Sequence, residues 1–463
     1  MTDRPCGCPD DGAFDAGDAG SGGAADAGAI GAGGAVSAGQ AARPERLSRR
    51  TLLRRLATAG ALGTALTLVE GLSPNARYAF ADTPAAYTGD VLVVLSLRGG
   101  FDGLNAIVPI GDPGYLVARP GIGIPEAALL PGDGIFGLHP ALAPLKKFWD
   151  AGTFGAVHAV GQPSPSRSHF QAMAELERAA PGSSVRTGWL DRTIGTRPAG
   201  SVFQAAQIGS TQVAAALSGP HPEMSMSSIK NFDLGGAGGN AGQRALWAKT
   251  LRAMHAGAPA AVARPAEAAL GAVDTTSAMT TAGYTPANGA DYPAGSRLGA
   301  ALQDVARLVK QRVGLQVVCV DEGDWDMHAG MGGPESGWLH DHLTELAQAL
   351  AAFATDLGPL MDGVTVVTLS EFGRRVTENG SGGVDHGHGN AVLMLGGGTV
   401  GGRVHGRWPG LAAEDLADGD LAGDTDYRLV LGEILTRRCG FGALSDVFPG
   451  LTGTPLGVTR AAA

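Results

Sequence analysis

The sequence has 463 residues and a formal net charge of −10, and this length would allow two or three average domains. The segment up to Ala81 carries equal numbers of acidic and basic side chains, so the negative charge belongs to the rest of the chain. A net acidic domain argues against a nucleic-acid partner and against anchoring on anionic lipid.

The first two segments of the chain are predicted to lie outside the folded domain. Residues 1–47 are dominated by glycine, alanine and aspartate, and they cannot bury enough surface to offset their ordering entropy, so we predict disorder. In residues 48–81, Arg49 and Arg50 precede an uncharged run from Leu56 to Val69. That run is shorter than the roughly 18–20 residues that span a bilayer.

A small-residue cleavage site, Ala79-Phe80-Ala81, follows the apolar run. A buried helix preceded by basic residues is the alternative interpretation. The paired arginines, the short apolar run and the cleavage site together favour a cleavable twin-arginine signal over that helix, and they predict export by the twin-arginine translocase. The expected location is therefore periplasmic or secreted, without a stable membrane anchor.

From residue 82 onward, short β-branched runs alternate with longer helical patterns. The predicted strands are 91–97, 154–160, 315–320, 364–369 and 392–395. One predicted helix begins near residue 168, and two more cover 299–311 and 339–357. This alternation predicts one layered α/β/α domain, residues 82–463, with a mainly parallel central sheet. Residues 256–295, rich in alanine, threonine, glycine and proline, are predicted to form a surface excursion.

Polar side chains follow several of the predicted strands, where ligands bind in sheets of this kind. The candidates are Asp102, Asp324, Asp326, His328, Glu371, Asp385, His386 and His388. They offer carboxylates and imidazoles without thiolates, the ligand set of a catalytic Zn²⁺ or Mn²⁺ ion. Clustered carboxylates repel each other unless a cation lies between them. A metal site is therefore predicted, and a polar cluster without metal is the alternative.

Ser168 lies at a predicted helix start, and two roles are open to it. With Gln171 three residues on, it could form a capping box. A hydroxyl at a helix N-terminus beside a metal could instead act as a nucleophile toward a phosphate or sulfate ester.

Short motifs occur along nearly all of the chain after the signal: RGGFDGLN from Arg98, SHF from Ser168, GWL from Gly188, DWDMH from Asp324, SEFGR from Ser370, DHG from Asp385, GG from Gly401, WPG from Trp408 and DYR from Asp426. In this order they resemble the motifs of the bacterial domain-of-unknown-function 1501 family. The resemblance implies a twin-arginine signal, an alkaline-phosphatase- and sulfatase-like fold and two metal ions at the sheet edge.

The same resemblance implies ligand roles for the candidates. Asp102 matches a first-strand ligand, and Asp326 with His328 resembles the pair that holds one metal. Glu371 stands where that superfamily has an aspartate followed by histidine, but Phe372 follows it here, so His386 or His388 is expected to supply the imidazole. Pro163 stands in the position of the sulfatase nucleophile, so a formylglycine mechanism is not expected.

The sequence thus predicts an exported hydrolase of phosphate or sulfate esters with two divalent ions. Zinc is favoured over manganese, magnesium or calcium. Ser168 or a water molecule would attack, and Asn105 would donate to the oxyanion. The competing class is a non-catalytic binding or assembly protein with the same fold.

Overall fold

The computed structural model describes residues 87–197, 200–234 and 240–462. The predicted export signal and the segment before it lie outside these residues. The strands are Val91–Leu97 (β1), Ile107–Val108 (β2), Leu130–Pro131 (β3), Gly137–Leu138 (β4), Phe154–Gly161 (β5), Ala205–Ile208 (β6), Met224–Met226 (β7), Val317–Glu322 (β8), Val364–Leu369 (β9), Asn390–Gly396 (β10), Val404–His405 (β11) and Thr425–Asp426 (β12).

Helices connect most of the strands. They are Gly103–Ala106 (α1), Gly114–Ala118 (α2), Lys146–Asp150 (α3), His169–Arg178 (α4), Trp189–Gly195 (α5), Ala241–His255 (α6), Ala260–Ala282 (α7), Arg297–Lys310 (α8), Trp338–Leu357 (α9), Tyr427–Arg437 (α10) and Leu444–Val447 (α11). Short 3₁₀ turns cover Glu126–Ala128, Pro140–Leu145, Ala215–Leu217, Ile229–Asn231, Gly358–Gly363 and Ala413–Asp415.

The central sheet is mixed but mainly parallel. Its strand order is β11-β5-β10-β9-β1-β8-β6-β7, with β12 also paired to β5. Strand β10 runs antiparallel to both β5 and β9, and the remaining neighbours in the sheet run parallel. Strands β2, β4 and β3 form a separate small antiparallel sheet. The predicted α/β class with a mainly parallel sheet is confirmed.

Helices cover both faces of the central sheet because its inner strands are apolar on both sides. Along β1, Val93 and Leu95 pack in one core with residues of α8 and α9, whereas Leu92 and Val94 pack in another with residues of α4, α5 and α10. Alternate side chains of a strand point to opposite faces, so a continuous apolar run requires two covering layers. The predicted three-layer arrangement is therefore present.

The predicted excursion at residues 256–295 contains the 23-residue helix α7. Its Leu270 and Val273 are buried in the same core as α8 and α9. Small alanine and threonine side chains gave this helix only a weak apolar pattern, which explains why the composition alone did not predict it.

The apolar run around Cys319 predicts a buried free thiol, and the structure shows both Cys319 and Cys439 buried and free. Among the residues that the structure describes, no helix is long and apolar enough to cross a membrane.

Candidate metal centre

One edge of the central sheet collects the ends of five strands. The carboxyl ends of β1, β8 and β9 lie there because these strands are parallel neighbours. Since β10 runs antiparallel to both β9 and β5, its first residue and the last residue of β5 lie at the same edge. Residues that follow β5, β8 and β9 therefore meet residues that precede β10.

Three side chains at this edge form a group that could hold a metal ion, which we call the His–Asp–His cluster: His169, Asp326 and His386. One donor atom from each lies within 4.8 Å of the others. Nε2 of His386 lies 3.1 Å from Oδ1 of Asp326, and Nε2 of His169 lies 3.5 Å from Oδ2. The three residues follow β5, follow β8 and precede β10, so the sheet topology brings them together.

Each imidazole of the cluster is oriented through its other nitrogen. Nδ1 of His169 lies 2.9 Å from Oε1 of Glu371, and Nδ1 of His386 lies 2.9 Å from the carbonyl oxygen of Arg167. Both oxygens can only accept, so each Nδ1 carries a proton and donates it. Imidazoles that bind metals are commonly fixed in this way, with Nε2 left to coordinate.

A third imidazole adjoins the cluster. Nδ1 of His328 lies 3.0 Å from Oδ1 of Asp385, while its Nε2 lies 3.0 Å from Oδ1 of Asp326 and 2.9 Å from Nε2 of His386. Nδ1 of His328 donates to Asp385 and Nδ1 of His386 donates to the Arg167 carbonyl. The Nε2 atoms of these two imidazoles therefore carry lone pairs, and the lone pairs face each other. That contact is repulsive unless a proton or a metal cation lies between the nitrogens.

The pKa values around the cluster follow from these contacts. Hydrogen bonds with Asp326 and then Glu371 raise the pKa of His169 to about 9, although partial burial opposes the shift. Partial burial would raise the pKa of Asp326, but its hydrogen bonds with His169, His386 and Arg374 hold that pKa well below its usual value. In the absence of metal, the cluster therefore combines a carboxylate with a protonated imidazole, and an entering cation would displace that proton.

Glu371 is buried, and it contacts the cluster through His169. Its Oε1 also accepts the backbone N–H of Gly99 at 2.8 Å. Burial alone would raise the pKa of Glu371, but these hydrogen bonds lower it. A side chain at Gly99 would meet the backbone of Trp325 and Asp326 at under 3 Å, and the residue has a φ of +119°. Glycine is therefore required where the loop after β1 crosses the loop after β8.

The segment between β9 and β10 folds back on itself, and its two ends are joined by backbone hydrogen bonds. The N–H of Gly373 donates to the carbonyl of His388 at 2.8 Å, and the N–H of Gly387 donates to the carbonyl of Gly373 at 2.9 Å. A Cβ atom at Gly373 would lie 1.9 Å from the carbonyl oxygen of Gly389. The close approach brings His386 against Phe372, the neighbour of Glu371, with ring centroids 4.6 Å apart.

Arg374 is a site residue that the sequence did not predict. Its side chain is fully buried, and Nη2 lies 2.6 Å from Oδ1 of Asp326. Its guanidinium also donates to four backbone carbonyl oxygens in the loops after β1, after β8 and before β10, those of Gly99, Gly100, Trp325 and Val384. It therefore joins three of the loops that form the site and fixes one oxygen of Asp326.

Replacing Arg374 by methionine is expected to lower the free energy of unfolding of the metal-free chain by about 4 kcal/mol, because each buried acceptor that loses its donor costs about 1–3 kcal/mol. The matched control is Arg375→Met. Arg375 is a third exposed and lies 3.4 Å from Asp420, so its loss should cost less than about 1 kcal/mol. Urea denaturation of both variants measures the difference, and equal losses would contradict the role given to Arg374.

Two predicted site residues lie apart from the cluster. Asp102 accepts two hydrogen bonds from Arg119, at 2.6 and 3.0 Å, and both side chains are buried. Asn105 is fully buried; its oxygen accepts from Tyr115 and Arg119, each at 2.7 Å, and its amide donates to the carbonyl of Ile122 at 2.8 Å. In place of the predicted ligand and oxyanion-donor roles, the structure shows a buried ion pair and a buried amide whose oxygen and nitrogen each already have a protein partner.

Ser168 is the N-cap residue of α4, so the predicted helix start is confirmed. The capping box, one of the two roles left open for Ser168, is absent, because the Ser168 side chain makes no cap hydrogen bond. Instead the hydroxyl of Ser166 contacts both the Gln171 side chain, at 3.1 Å, and the N–H of Ser168, at 3.2 Å. The hydroxyl of Ser168 is therefore not engaged as a cap.

The other candidates border the cluster without joining it. Nε2 of His388 lies 3.2 Å from the carbonyl oxygen of Gln162, and Oδ2 of Asp324 lies 3.5 Å from His342. Asp385 contacts the cluster through His328, and hydrogen bonds from His328 and Asn379 lower its pKa. His169 was missed, although it satisfies the criterion used for the others, since it follows a buried strand at the start of the next helix.

The comparisons with known proteins support the family and add little to the chemistry. The model of the family described as "Protein of unknown function (DUF1501)" matches residues 153–427. No protein with a curated description matches the chain.

Two solved structures are similar at low identity. The lipoteichoic acid synthase LtaP from Listeria monocytogenes is 9% identical over 72% of this chain and 70% of that one, with a TM-score of 0.27. The phosphonate monoester hydrolase of Agrobacterium radiobacter is 10% identical over 73% and 78%, with a TM-score of 0.29. Both TM-scores lie below 0.5, so neither structure informs the chemistry of this chain.

Proposed function

The chain belongs to the DUF1501 family, and we propose that it is an exported metal-dependent hydrolase that cleaves a phosphate or sulfate ester. The observation that carries the proposal is the convergence of imidazole Nε2 atoms on one carboxylate. His328, His386 and His169 approach Asp326 at 3.0, 3.1 and 3.5 Å. Two of these nitrogens face each other at 2.9 Å, which a cation between them would stabilise.

The donor set fits zinc best among the ions considered. Imidazole nitrogens with a carboxylate suit Zn²⁺, and Mn²⁺ less so, whereas Mg²⁺ and Ca²⁺ prefer oxygen ligands throughout. Among the described residues, the His–Asp–His cluster is the group of donors that meets the geometry for one ion. The second ion rests on the family resemblance alone.

The proposed chemistry divides between the ion and the side chains. A cation held by His169, Asp326 and His386 would supply Lewis-acid polarisation of an ester oxygen. Glu371 and the Arg167 carbonyl keep the two imidazoles oriented through their Nδ1 protons.

Ser168 is the proposed nucleophile because it directly precedes His169 at the N-terminus of the ten-residue helix α4. The free N–H groups and the dipole at a helix N-terminus favour an anionic ester.

The direct test uses the purified full-length chain with its metal content measured. We expect bound zinc and hydrolysis of at least one of a panel of aryl phosphate monoesters, phosphate diesters and sulfate esters. Chelation should abolish the hydrolysis, and added zinc should restore it. A chain that holds its full complement of metal and hydrolyses none of the esters would favour the non-catalytic binding or assembly protein.

Export is a separate part of the proposal, since it rests on Arg49 and Arg50 ahead of a short apolar run. Changing both arginines to lysine should leave an uncleaved precursor inside the cell, because paired arginines select the twin-arginine route. Fractionation and immunoblotting measure this. Normal amounts of shortened protein in the periplasm would contradict the assignment.

A further inference from the structure

An open cleft of about 450 Å³ adjoins the candidate metal centre. It shares Gly99, His169 and Glu371 with that centre, so a molecule bound at the cluster could extend directly into the cleft. This volume lies within the range of small-molecule sites in proteins.

One face of helix α4 forms a wall of the cleft. Phe170, Met173, Ala174 and Glu177 line it, at positions that lie one above another on a helix. Three of the four are apolar, and Ala215 adds a further apolar group from another segment. Phe170 is 87% exposed, although it follows the cluster residue His169 directly. This exposed aromatic ring extends the apolar wall of the cleft and offers contact area to an apolar ligand.

The cationic side chains that line the cleft are already paired, and the exposed carboxylate of Asp324 at its rim lies 3.5 Å from Nε2 of His342. Among the described lining residues, Arg98 is the cationic side chain apart from His169. Its Nε lies 2.9 Å from Asp321 and its Nη2 lies 3.1 Å from Glu177. His169 is paired with Glu371 and Asp326. The walls therefore offer apolar contact and no unpaired cation to bind a second anionic group.

We propose that this cleft binds the apolar alcohol portion of the ester, so that the substrate class is the esters of long-chain alkyl or aromatic alcohols. The inference rests on the proposed function, because it places the ester group at the His–Asp–His cluster. It adds the part of the substrate that the cluster itself does not select.

The test measures binding without turnover. Ethyl-, butyl- and octylphosphonate, and the matching alkylsulfonates, carry no ester bond and are titrated calorimetrically into the zinc-loaded full-length chain below their micelle concentrations. Each methylene buried in the cleft should raise the affinity about fourfold, the factor that corresponds to about 0.8 kcal/mol for the transfer of one methylene from water. Affinity that does not depend on chain length would overturn the inference, and so would a failure to bind any of the six probes.

Two variants locate the effect. Phe170→Ala should weaken octylphosphonate at least tenfold and leave ethylphosphonate within twofold. Val117→Ala is the control, because Val117 is 81% exposed and does not line the cleft. A chain-length dependence in Phe170→Ala as steep as that of the parent would overturn the location.

The hydrolysis panel separates this inference from the proposed function. Hydrolysis of short and long alkyl esters at equal kcat/KM would remove the apolar subsite and keep the hydrolase. Chain-length-dependent binding without hydrolysis of any ester would keep the subsite and remove the hydrolase.

Discussion

Replacing Asp326 by alanine is expected to lower zinc affinity at least 100-fold and ester hydrolysis by four orders of magnitude or more. Asp326 is the one side chain that the three imidazoles share, at 3.0 to 3.5 Å. Without it, the Nε2 atoms of His169, His328 and His386 have no carboxylate beside them to share the cation, since Glu371 and Asp385 contact the imidazoles through Nδ1. Loss of a residue that only orients a ligand typically costs 10- to 100-fold in affinity, so loss of a direct ligand should exceed that range.

Metal content by mass spectrometry and competition with a chromophoric chelator measure the change in affinity. The matched control is Asp324→Ala, two residues earlier in the same loop. The Asp324 side chain is 73% exposed and contacts His342 instead of the cluster, so this variant should keep its metal.

Asp102→Asn is a second control for the Asp326 experiment. It should lose about 3 kcal/mol of stability, because Arg119 keeps a buried charge without its partner, and still bind zinc. Full metal in Asp326→Ala, or metal loss in Asp102→Asn, would contradict the proposed ligand set.

Replacing Ser168 by alanine is expected to lower turnover about 10³-fold while the metal content stays full. A nucleophile that is lost removes the covalent route and leaves the slower attack by water. Because the Ser168 side chain makes no cap hydrogen bond, the free energy of unfolding should change by no more than about 0.5 kcal/mol. Steady-state kinetics on the best ester and a urea titration measure the two quantities.

Ser168→Thr sharpens that comparison, since threonine keeps a hydroxyl at the same position and should retain part of the activity. Ser166→Ala is the control, because Ser166 holds the loop through its contacts with Gln171 and Ser168 and is not proposed to react. Turnover in Ser168→Ala equal to that of the parent would show that water attacks. Equal losses in Ser168→Ala and Ser166→Ala would indicate a displaced loop.

The sequence predicted five consecutive strands of the sheet, β5, β10, β9, β1 and β8, because they are largely continuous apolar runs, whereas the short strands β6, β7, β11 and β12 were not predicted. The predicted bounds of 91–97 and 364–369 agree with β1 and β9. A strand buried on both faces has no polar alternation, so each predicted strand ends just before a glycine or a polar or charged residue. In β8 this criterion ended the strand two residues early, because β8 continues through Asp321 and Glu322. The candidates that follow β8 and β9 could be found for that reason.

The site itself was predicted less completely, and the missing parts share a cause. The pairing of Asp102 with Arg119, and of Arg374 with Asp326, depends on which charged groups meet after the chain folds. Nothing in the spacing of these residues distinguishes a buried ion pair from a metal ligand. The segment from Asp385 to His388 precedes β10, and it lies at the same sheet edge as the ends of β8 and β9 because β10 runs antiparallel to β9. The sequence did not show this orientation.

The long separation of the cluster residues along the chain also determines when the centre can form during folding. His169 and its partner Glu371 are separated by 202 residues along the chain, so their contact closes a very long loop. Such contacts carry a large closure entropy and form late in folding. An ion held there would therefore leave the folding rate nearly unchanged and mainly slow unfolding. A metal ion bound at the centre would then stabilise the folded chain kinetically, by slowing unfolding after the sheet has formed.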